Sequence, residues 1–455
     1  MTLEVINPAT GNVEQGYDEM SAAEVRTRIT AAHHAYQSWR RTTFTSRAEL
    51  MREAANVLRS NAREYAVLMA TEMGKPVRDG LAEVEKCAWA CEYYADEAAP
   101  FLAPEIIETA ARKSFVTFQP LGVIFAVMPW NFPFWQVFRF IAPSLMAGNS
   151  GLLKHAANVP GCALAIEDVL QKAGFPDNLF QTLLITNRQA ASVIRHRHVT
   201  AVTLTGSTGA GQAVAKIAGS KLKKTVLELG GSDPYVILED ADLAATVETC
   251  VTSRLINAGQ SCIAAKRFVV VESKRADFER AFVERMRITK PGDPLDDATT
   301  MGPLARGDLR DSLHDQVTRS VEKGARCLLG GKVPSGRGAY YPPTVLTDVR
   351  KGMPAYNEEL FGPVAAIIPV QNERQAIRVA NDSVFGLGAA VFTNDLDRGE
   401  RIATTEIEAG ACFVNTFVKS DPRLPFGGIK ESGYGRELSH YGIKEFVNVK
   451  TVYIA

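Results

Sequence analysis

The chain has no surplus of charge: 51 lysines and arginines stand against 51 aspartates and glutamates in 455 residues, a formal net charge of zero. That balance argues against a basic face for nucleic acid and against a polybasic membrane patch. Neutral or zwitterionic partners stay open. Cysteine is scarce: the seven thiols, at 87, 91, 162, 250, 262, 327 and 412, are odd in number and include no C-x-x-C pair. Reduced thiols fit this better than a disulfide framework or a zinc site, and no metal is expected. A long uninterrupted apolar run is also absent. The most apolar stretch, 123–148, contains Pro129, Asn131, Pro133, Gln136, Arg139 and Pro143, which make a bilayer span costly. The first twenty residues lack a basic region followed by an apolar core, so neither a secretory signal nor an anchor is read there, and a cytoplasmic location is expected.

What is present is a globular composition, 46% hydrophobic and 22% charged, enough to bury a large core. The length suggests about three units. The first hundred residues read as helices. Ser46 and Glu49 have the spacing of a capping box ahead of an apolar-periodic run, 50–73, that stops at Gly74-Lys75-Pro76, and 81–99 is a second helical run. From about residue 115, short β-rich runs such as VIFAVMP, SGLLKH and TAVTLT alternate with helix-length segments, the pattern of a mostly parallel sheet covered by helices. The alternation restarts after Gly230-Gly231, so a second α/β unit is expected with a boundary near residue 232. The run FVNVKTVYI, 446–454, has no partner next to it in sequence and must pair with an earlier strand or another subunit.

Five short segments carry unusual chemistry. In NAGQSCIAAKR, Cys262 lies among small residues that leave room beside its sulfur for a substrate and a cofactor; a buried structural thiol is the ordinary alternative. In LELGGSDP, Glu228 ends an apolar strand before two glycines, where a carboxyl with an environment-tuned pKa could act as a general base, or be a solvated strand end. In MPWNFPFWQ, prolines fix the backbone around Asn131, whose amide suits a developing oxyanion or its own turn. TLTGSTGAG runs from strand through Gly206 and Ser207 into a helix, a setting for a pyrophosphate, though it does not match G-x-G-x-x-G. In NEELFGPV, Glu359 could bond a sugar hydroxyl and Phe361 could pack on a ring, with an acidic turn as the alternative.

In this order the segments resemble the aldehyde dehydrogenase superfamily: PWNFP at 129–133, the Lys154 strand, GST at 206–208, ELGG at 228–231, GQSC at 259–262, EELFGP at 358–363 and PFGGIKESGYGRE at 425–437. The match runs from INPATG at residue 6 to the terminal strand. HAANVPGCA, KSDPRLPFGG and SGYGREL look like the bacterial succinate-semialdehyde branch of that family. The resemblance implies an α/β fold with a Rossmann-like cofactor domain (1–100 and 121–232), an α/β catalytic domain (233–432) and a small bridging sheet for oligomerisation (101–120 and 433–455). Homodimers or homotetramers follow from it. It implies Cys262 as nucleophile, Glu228 as base toward water and Asn131 as oxyanion donor. It also implies a cofactor, NAD or NADP, on Trp130, Lys154, Gly206, Ser207, Glu359 and Phe361.

Two departures qualify the resemblance. Relatives with a redox-switch disulfide have a second cysteine two residues after the nucleophile, where this chain has Ala264. Relatives that clamp the substrate carboxylate use arginines, and the corresponding places read as Gln136 and Ile256. Carboxylate recognition is therefore expected from Lys419, Ser420 and Arg423, with Gln136 on the opposite wall. Ala157 stands where strictly NAD-preferring relatives carry an acid, so use of both cofactors is expected, NAD somewhat favoured because no arginine is evident to clamp the phosphate. The chemistry would also permit cofactor-free ester hydrolysis by Cys262, and a non-catalytic relative would have lost Cys262 or Glu228, which this chain keeps.

Overall fold

The computed structural model describes residues 2–455. Val-, Ile- and Leu-rich runs become the inner strands of two mainly parallel sheets, where burial on both faces accounts for their lack of polar alternation. The first sheet has six strands in the order Gly433–Tyr434, Lys224–Glu228, Val199–Thr205, Val123–Met128, Ser150–His155 and Phe180–Thr182. All its neighbours run parallel except Gly433–Tyr434, which pairs antiparallel with Leu227 and Glu228. The second has seven strands, Arg326–Leu329, Thr344–Thr347, Val364–Val370, Arg267–Val271, Pro234–Ile237, Gly388–Phe392 and Ala411–Val414. The chain passes from the first sheet to the second between Glu228 and Pro234.

A third sheet is antiparallel throughout: Val447–Ile454 pairs with Lys113–Pro120 from Val447↔Pro120 to Ile454↔Lys113, and Glu105–Ile106 lies on the other edge. The unpartnered apolar run of the sequence thus finds an earlier strand of its own chain.

The N-terminal region differs from the expected run of helices. It opens with a hairpin, Thr2–Ile6 against Val13–Asp18, turned by an Asn-Pro-Ala-Thr-Gly segment in which Gly11 N–H donates to the Asn7 carbonyl at 2.7 Å. The expected cap at Ser46 is displaced by one turn: Thr43 is the cap, its Oγ1 accepting from Ser46 N–H at 3.1 Å. The single helical run of 50–73 is two helices, Phe44–Ser60 and Ala62–Met73, which meet at Asn61, where φ of −115° and ψ of 17° leave the helical region and Nδ2 joins the backbone N–H in donating to the Val57 carbonyl. The strand Thr344–Thr347, preceded by Pro342 and Pro343, was not among the expected ones.

One helix matters most for the site. Trp135–Met146 follows the Pro-rich MPWNFP turn and is buried along all of its residues, Gln136 and Arg139 included. A polar pair on a helix with no solvent face must find partners inside the protein. Among the described residues no helix is long and apolar enough to cross a membrane.

Candidate active site

The Cys262 loop follows the helix Leu243–Leu255. Asn257, Ala258 and Gly259 all have left-handed φ, at 52, 54 and 75°, an expensive turn for two of the three. Only glycine fits the third position, because a Cβ on Gly259 would lie 2.2 Å from the Gly362 carbonyl oxygen. The buried Lys266 ammonium draws the loop together, donating to the carbonyls of Ser261 (2.9 Å), Cys262 (2.8 Å) and Ala264 (3.2 Å). Asn131 is fastened to the same loop: its Nδ2 donates to the Gln260 carbonyl at 3.1 Å, while Asn257 Nδ2 donates to the Asn131 carbonyl at 2.7 Å. The structure therefore holds Asn131 against the Cys262 loop, with one Nδ2 hydrogen uncommitted among the described residues.

Beneath this loop lies a group of buried charges. Arg139 forms an ion pair with Glu437, and both are almost fully buried. Glu228 is 2% exposed and neither carboxyl oxygen has a hydrogen-bond partner. Burial holds its pKa well above the usual carboxylate range, Glu437 adds to the effect, and Arg139 and Arg436 oppose it. A Cβ on Gly427, in the PFGG segment, would come 2.7 Å from Glu228 Oε1, so the glycine leaves that carboxyl its space. Burial likewise pushes the Cys262 thiol up to about 12, with Arg139 and Lys266 pulling it down. Arg139 is thus a cation acting on the Cys262 thiol and the Glu228 carboxyl together.

A cavity of about 720 Å³ opens beside Cys262. Gln136, Lys419 and Ser420 line it, Gln136 and Ser420 as buried residues and Lys419 as an exposed one. Arg423, expected with them, stands elsewhere. Its guanidinium is 66% exposed, bonds Asp421 through Nε (2.9 Å) and Nη2 (2.7 Å), and packs over Trp89. The neighbouring acid satisfies it at the surface, so its side chain has no reason to turn inward.

On the other side of the loop are the expected cofactor residues. Ser207 caps the helix Thr208–Gly219, its Oγ accepting from Ala210 N–H at 3.4 Å, and the first N–H groups of that helix have no partner within it. Gly206 N–H donates to the Glu228 carbonyl at 2.9 Å, tying this turn to the carboxyl's own strand. Among the described residues Lys154, 6% exposed, bonds only the His155 carbonyl, at 3.2 Å, and burial lowers its pKa with no carboxylate opposing. Ala157 is exposed nearby in sequence. The Trp130 and Phe361 rings meet edge-on at 5.8 Å, and Glu359 accepts from Gly231 N–H at 3.0 Å while facing Lys266 at 3.5 Å. A helix N-terminus with free N–H groups and a buried ammonium lacking an acid fit a phosphate-bearing dinucleotide.

The aldehyde dehydrogenase family model matches residues 1–452. The chain belongs to the aldehyde dehydrogenase family. It is similar to a Synechocystis sp. protein named as a probable NADP(+) succinate-semialdehyde dehydrogenase, 50% identical over the full length of both chains. A Mycobacterium leprae succinate-semialdehyde dehydrogenase of the NADP(+) type is 48% identical, again over all of both. The crystal structure of succinic semialdehyde dehydrogenase from Streptococcus pyogenes with NADP+ superimposes with a TM-score of 0.97 at 38% identity, covering 99% of each chain.

Within this aldehyde dehydrogenase several site residues escaped the sequence reading. Arg139 and Glu437 meet only through the tertiary fold. Lys266 carried a faint signal, a lysine four residues after the candidate nucleophile in an otherwise apolar run. His155 follows Lys154 directly: its ring accepts from Ala156 N–H (3.0 Å) and meets the Pro133 carbonyl (2.9 Å), so it ties the PWNFP turn to the Lys154 strand. Burial lowers its pKa to about 4, which keeps it neutral with Nε2 as the donor to Pro133.

Proposed function

We propose that this aldehyde dehydrogenase oxidises succinate semialdehyde to succinate with NADP or NAD. The observation that carries the substrate is the cavity beside Cys262: Lys75, Arg78, Lys86, Arg139, Arg285 and Lys419 line it against only Asp79 and Glu83. Such an excess of cations favours an aldehyde carrying a carboxylate over a neutral one. The names of the full-length relatives support the same substrate and bring in NADP. Lys154 faces no carboxylate and Ala157 adds none, so the 2′-phosphate meets a cation without repulsion. NADP is then used at least as readily as NAD, in place of the expected lean toward NAD.

The residues perform the chemistry as follows. Cys262, once deprotonated, attacks the aldehyde carbon; the C=O π pair moves to oxygen, and the thiohemiacetal oxyanion is met by Asn131 Nδ2 and the Cys262 backbone N–H. Trp130, Lys154, Gly206, Ser207, Glu359 and Phe361 would hold the dinucleotide, whose nicotinamide supplies the acceptor for the hydride that leaves the thiohemiacetal carbon. The resulting thioester is hydrolysed by water. Glu228 takes the water proton, hydroxide adds to the acyl carbon, the C–S bond breaks and sulfur leaves as thiolate. Glu228 is a base only when ionised, a form that Arg139 and Arg436 favour and burial opposes.

In this reading residues 1–100 with 121–232 bind the cofactor, 233–432 carry the nucleophile, and 101–120 with 433–455 form the bridging segment. The change of sheet between Glu228 and Pro234 supports it, as does the pairing of Val447–Ile454 with Lys113–Pro120. Gly433–Tyr434 departs from it by joining the cofactor sheet. The third sheet exposes Ile106 (65%), Val449 (61%) and Tyr453 (59%), apolar surface that supports homodimers or homotetramers. A monomeric mass by light scattering would refute that. All seven cysteines are free thiols, in keeping with a cytoplasmic location.

The test is a screen of short aldehydes with and without a terminal carboxylate, each with both cofactors, followed by reduced-nicotinamide absorbance. Succinate semialdehyde should give the highest kcat/KM. Equal efficiencies for succinate semialdehyde and butyraldehyde would refute the assignment.

A further inference from the structure

The cations around the cavity are not equally available to a ligand. Lys75 is locked to Glu83, Arg139 to Glu437, Arg78 to Asp79 and Arg285 to Glu248. Lys419 is exposed, where water screens its charge. Lys86 is different. It projects from the helix Val77–Phe101 into the cavity wall, is partly buried, and has no carboxylate at ion-pair distance among the described residues. Its ammonium lies 4.3 Å from the centroid of the Trp135 ring and donates to Ser420 Oγ at 2.7 Å.

A cation in this state has given up much of its hydration for one neutral hydroxyl and an aromatic face. Two of its three N–H bonds remain uncommitted. Burial pulls its pKa down to about 8; Arg139 acts in the same direction, while Cys87 and Glu83 on its own helix and Asp421 on the facing loop oppose. An anion arriving beside it would recover the electrostatic energy that the empty cavity withholds. The hydroxyl of Ser420, already oriented by Lys86, can donate to the same anion.

We propose that Lys86, steadied by Trp135 and Ser420, is the residue that selects aldehydes carrying a carboxylate, by pairing with that carboxylate while Cys262 takes the aldehyde end. The proposal rests on the succinate-semialdehyde reading above and names the group responsible for it. It also gives Ser420 a specific part, as the hydroxyl that positions the ammonium.

The experiment compares kcat/KM for succinate semialdehyde and butyraldehyde in the wild type, Lys86→Met and Lys86→Arg. A charge-assisted bond of this kind is worth about 10- to 100-fold in equilibrium. The ratio of the two efficiencies should therefore fall by about that factor in Lys86→Met, through KM for the semialdehyde and not through kcat, and Lys86→Arg should keep most of it. A Lys86→Met enzyme with the wild-type ratio would overturn the proposal, as would a Lys86→Arg enzyme that loses as much as the methionine variant. A wild type without preference for the carboxylate would instead sink the functional reading itself. Inhibition by succinate gives a second readout: its binding should weaken in Lys86→Met in step with the semialdehyde's KM.

Discussion

On the substrate side of the Cys262 loop the polar groups are charged side chains locked together in the interior, Lys75 to Glu83 and Arg139 to Glu437, with the unpartnered Glu228 beside them. On the expected cofactor side, around the buried Lys154 and the half-buried Glu359, the rim is backbone and small residues: Ser207 and Ala157 are exposed, and a Cβ added at Gly209 would meet nothing within 4 Å. The first side resists change, because removing one member of a buried pair leaves an uncompensated charge at a cost of about 3–5 kcal/mol. The second tolerates it, since surface substitutions stay within about 0.5 kcal/mol. In the proposed reading the reaction chemistry is built into the core, whereas position 157, which bears on cofactor choice beside the buried Lys154, lies on a surface that can vary without unfolding the protein.

The sharpest test of that contrast lies at the chemical steps. Cys262→Ala should lose dehydrogenase and esterase activity together, by at least about a thousandfold, because both require the same acyl-enzyme. Glu228→Gln should stall later, giving a stoichiometric burst of reduced cofactor followed by little turnover. Normal steady-state turnover in that variant would remove Glu228 from the mechanism. On the permissive side, Ala157→Glu should fold normally and lower kcat/KM with NADP about tenfold to several hundredfold more than with NAD, the effect of a like charge in a partly exposed site. An equal loss with both cofactors would break the contrast by showing that the position serves the fold.

The smallest effect is a titration on the substrate side. Lys86, held near 8, is charged below that pH and neutral above it. Preference for succinate semialdehyde over butyraldehyde should therefore be full at pH 7 and decline as pH rises through about 8. A ratio that stays flat to pH 9.5 would show that Lys86 keeps its proton or takes no part.

The fold class and the segments of the three residues proposed for catalysis were legible because their signals are local. Parallel strands read as unbroken apolar runs, Asn131 sits between prolines that restrict the backbone, and Cys262 and Glu228 sit beside glycines that permit tight turns and close approach. Arg139 stands out in the sequence only as a polar interruption of the apolar stretch 123–148. Its meaning depends on Glu437, which the fold brings to it from the far end of the chain. Lys86 reads as the solvated face of an amphipathic helix until Trp135 and Ser420 are placed over it. Arg423 failed in the opposite direction: a cation next to a functional segment looked available, but Asp421 two residues earlier satisfies it. The opening hairpin was missed because its strands are short and mostly polar, with their register set by an Asn-Pro turn and not by a buried face.

The pairing of Lys113–Pro120 with Val447–Ile454 also sets a timetable for biosynthesis. The earlier strand leaves the ribosome with only Glu105–Ile106 available to pair on one edge. Its other edge must wait for more than three hundred further residues, on the order of a quarter of a minute to a minute at ordinary translation rates. Throughout that interval Val116 and Phe118 flank unpaired backbone that can template contact with another nascent chain. The same strand that completes the finished molecule therefore leaves its nascent form with one open edge until synthesis is nearly finished.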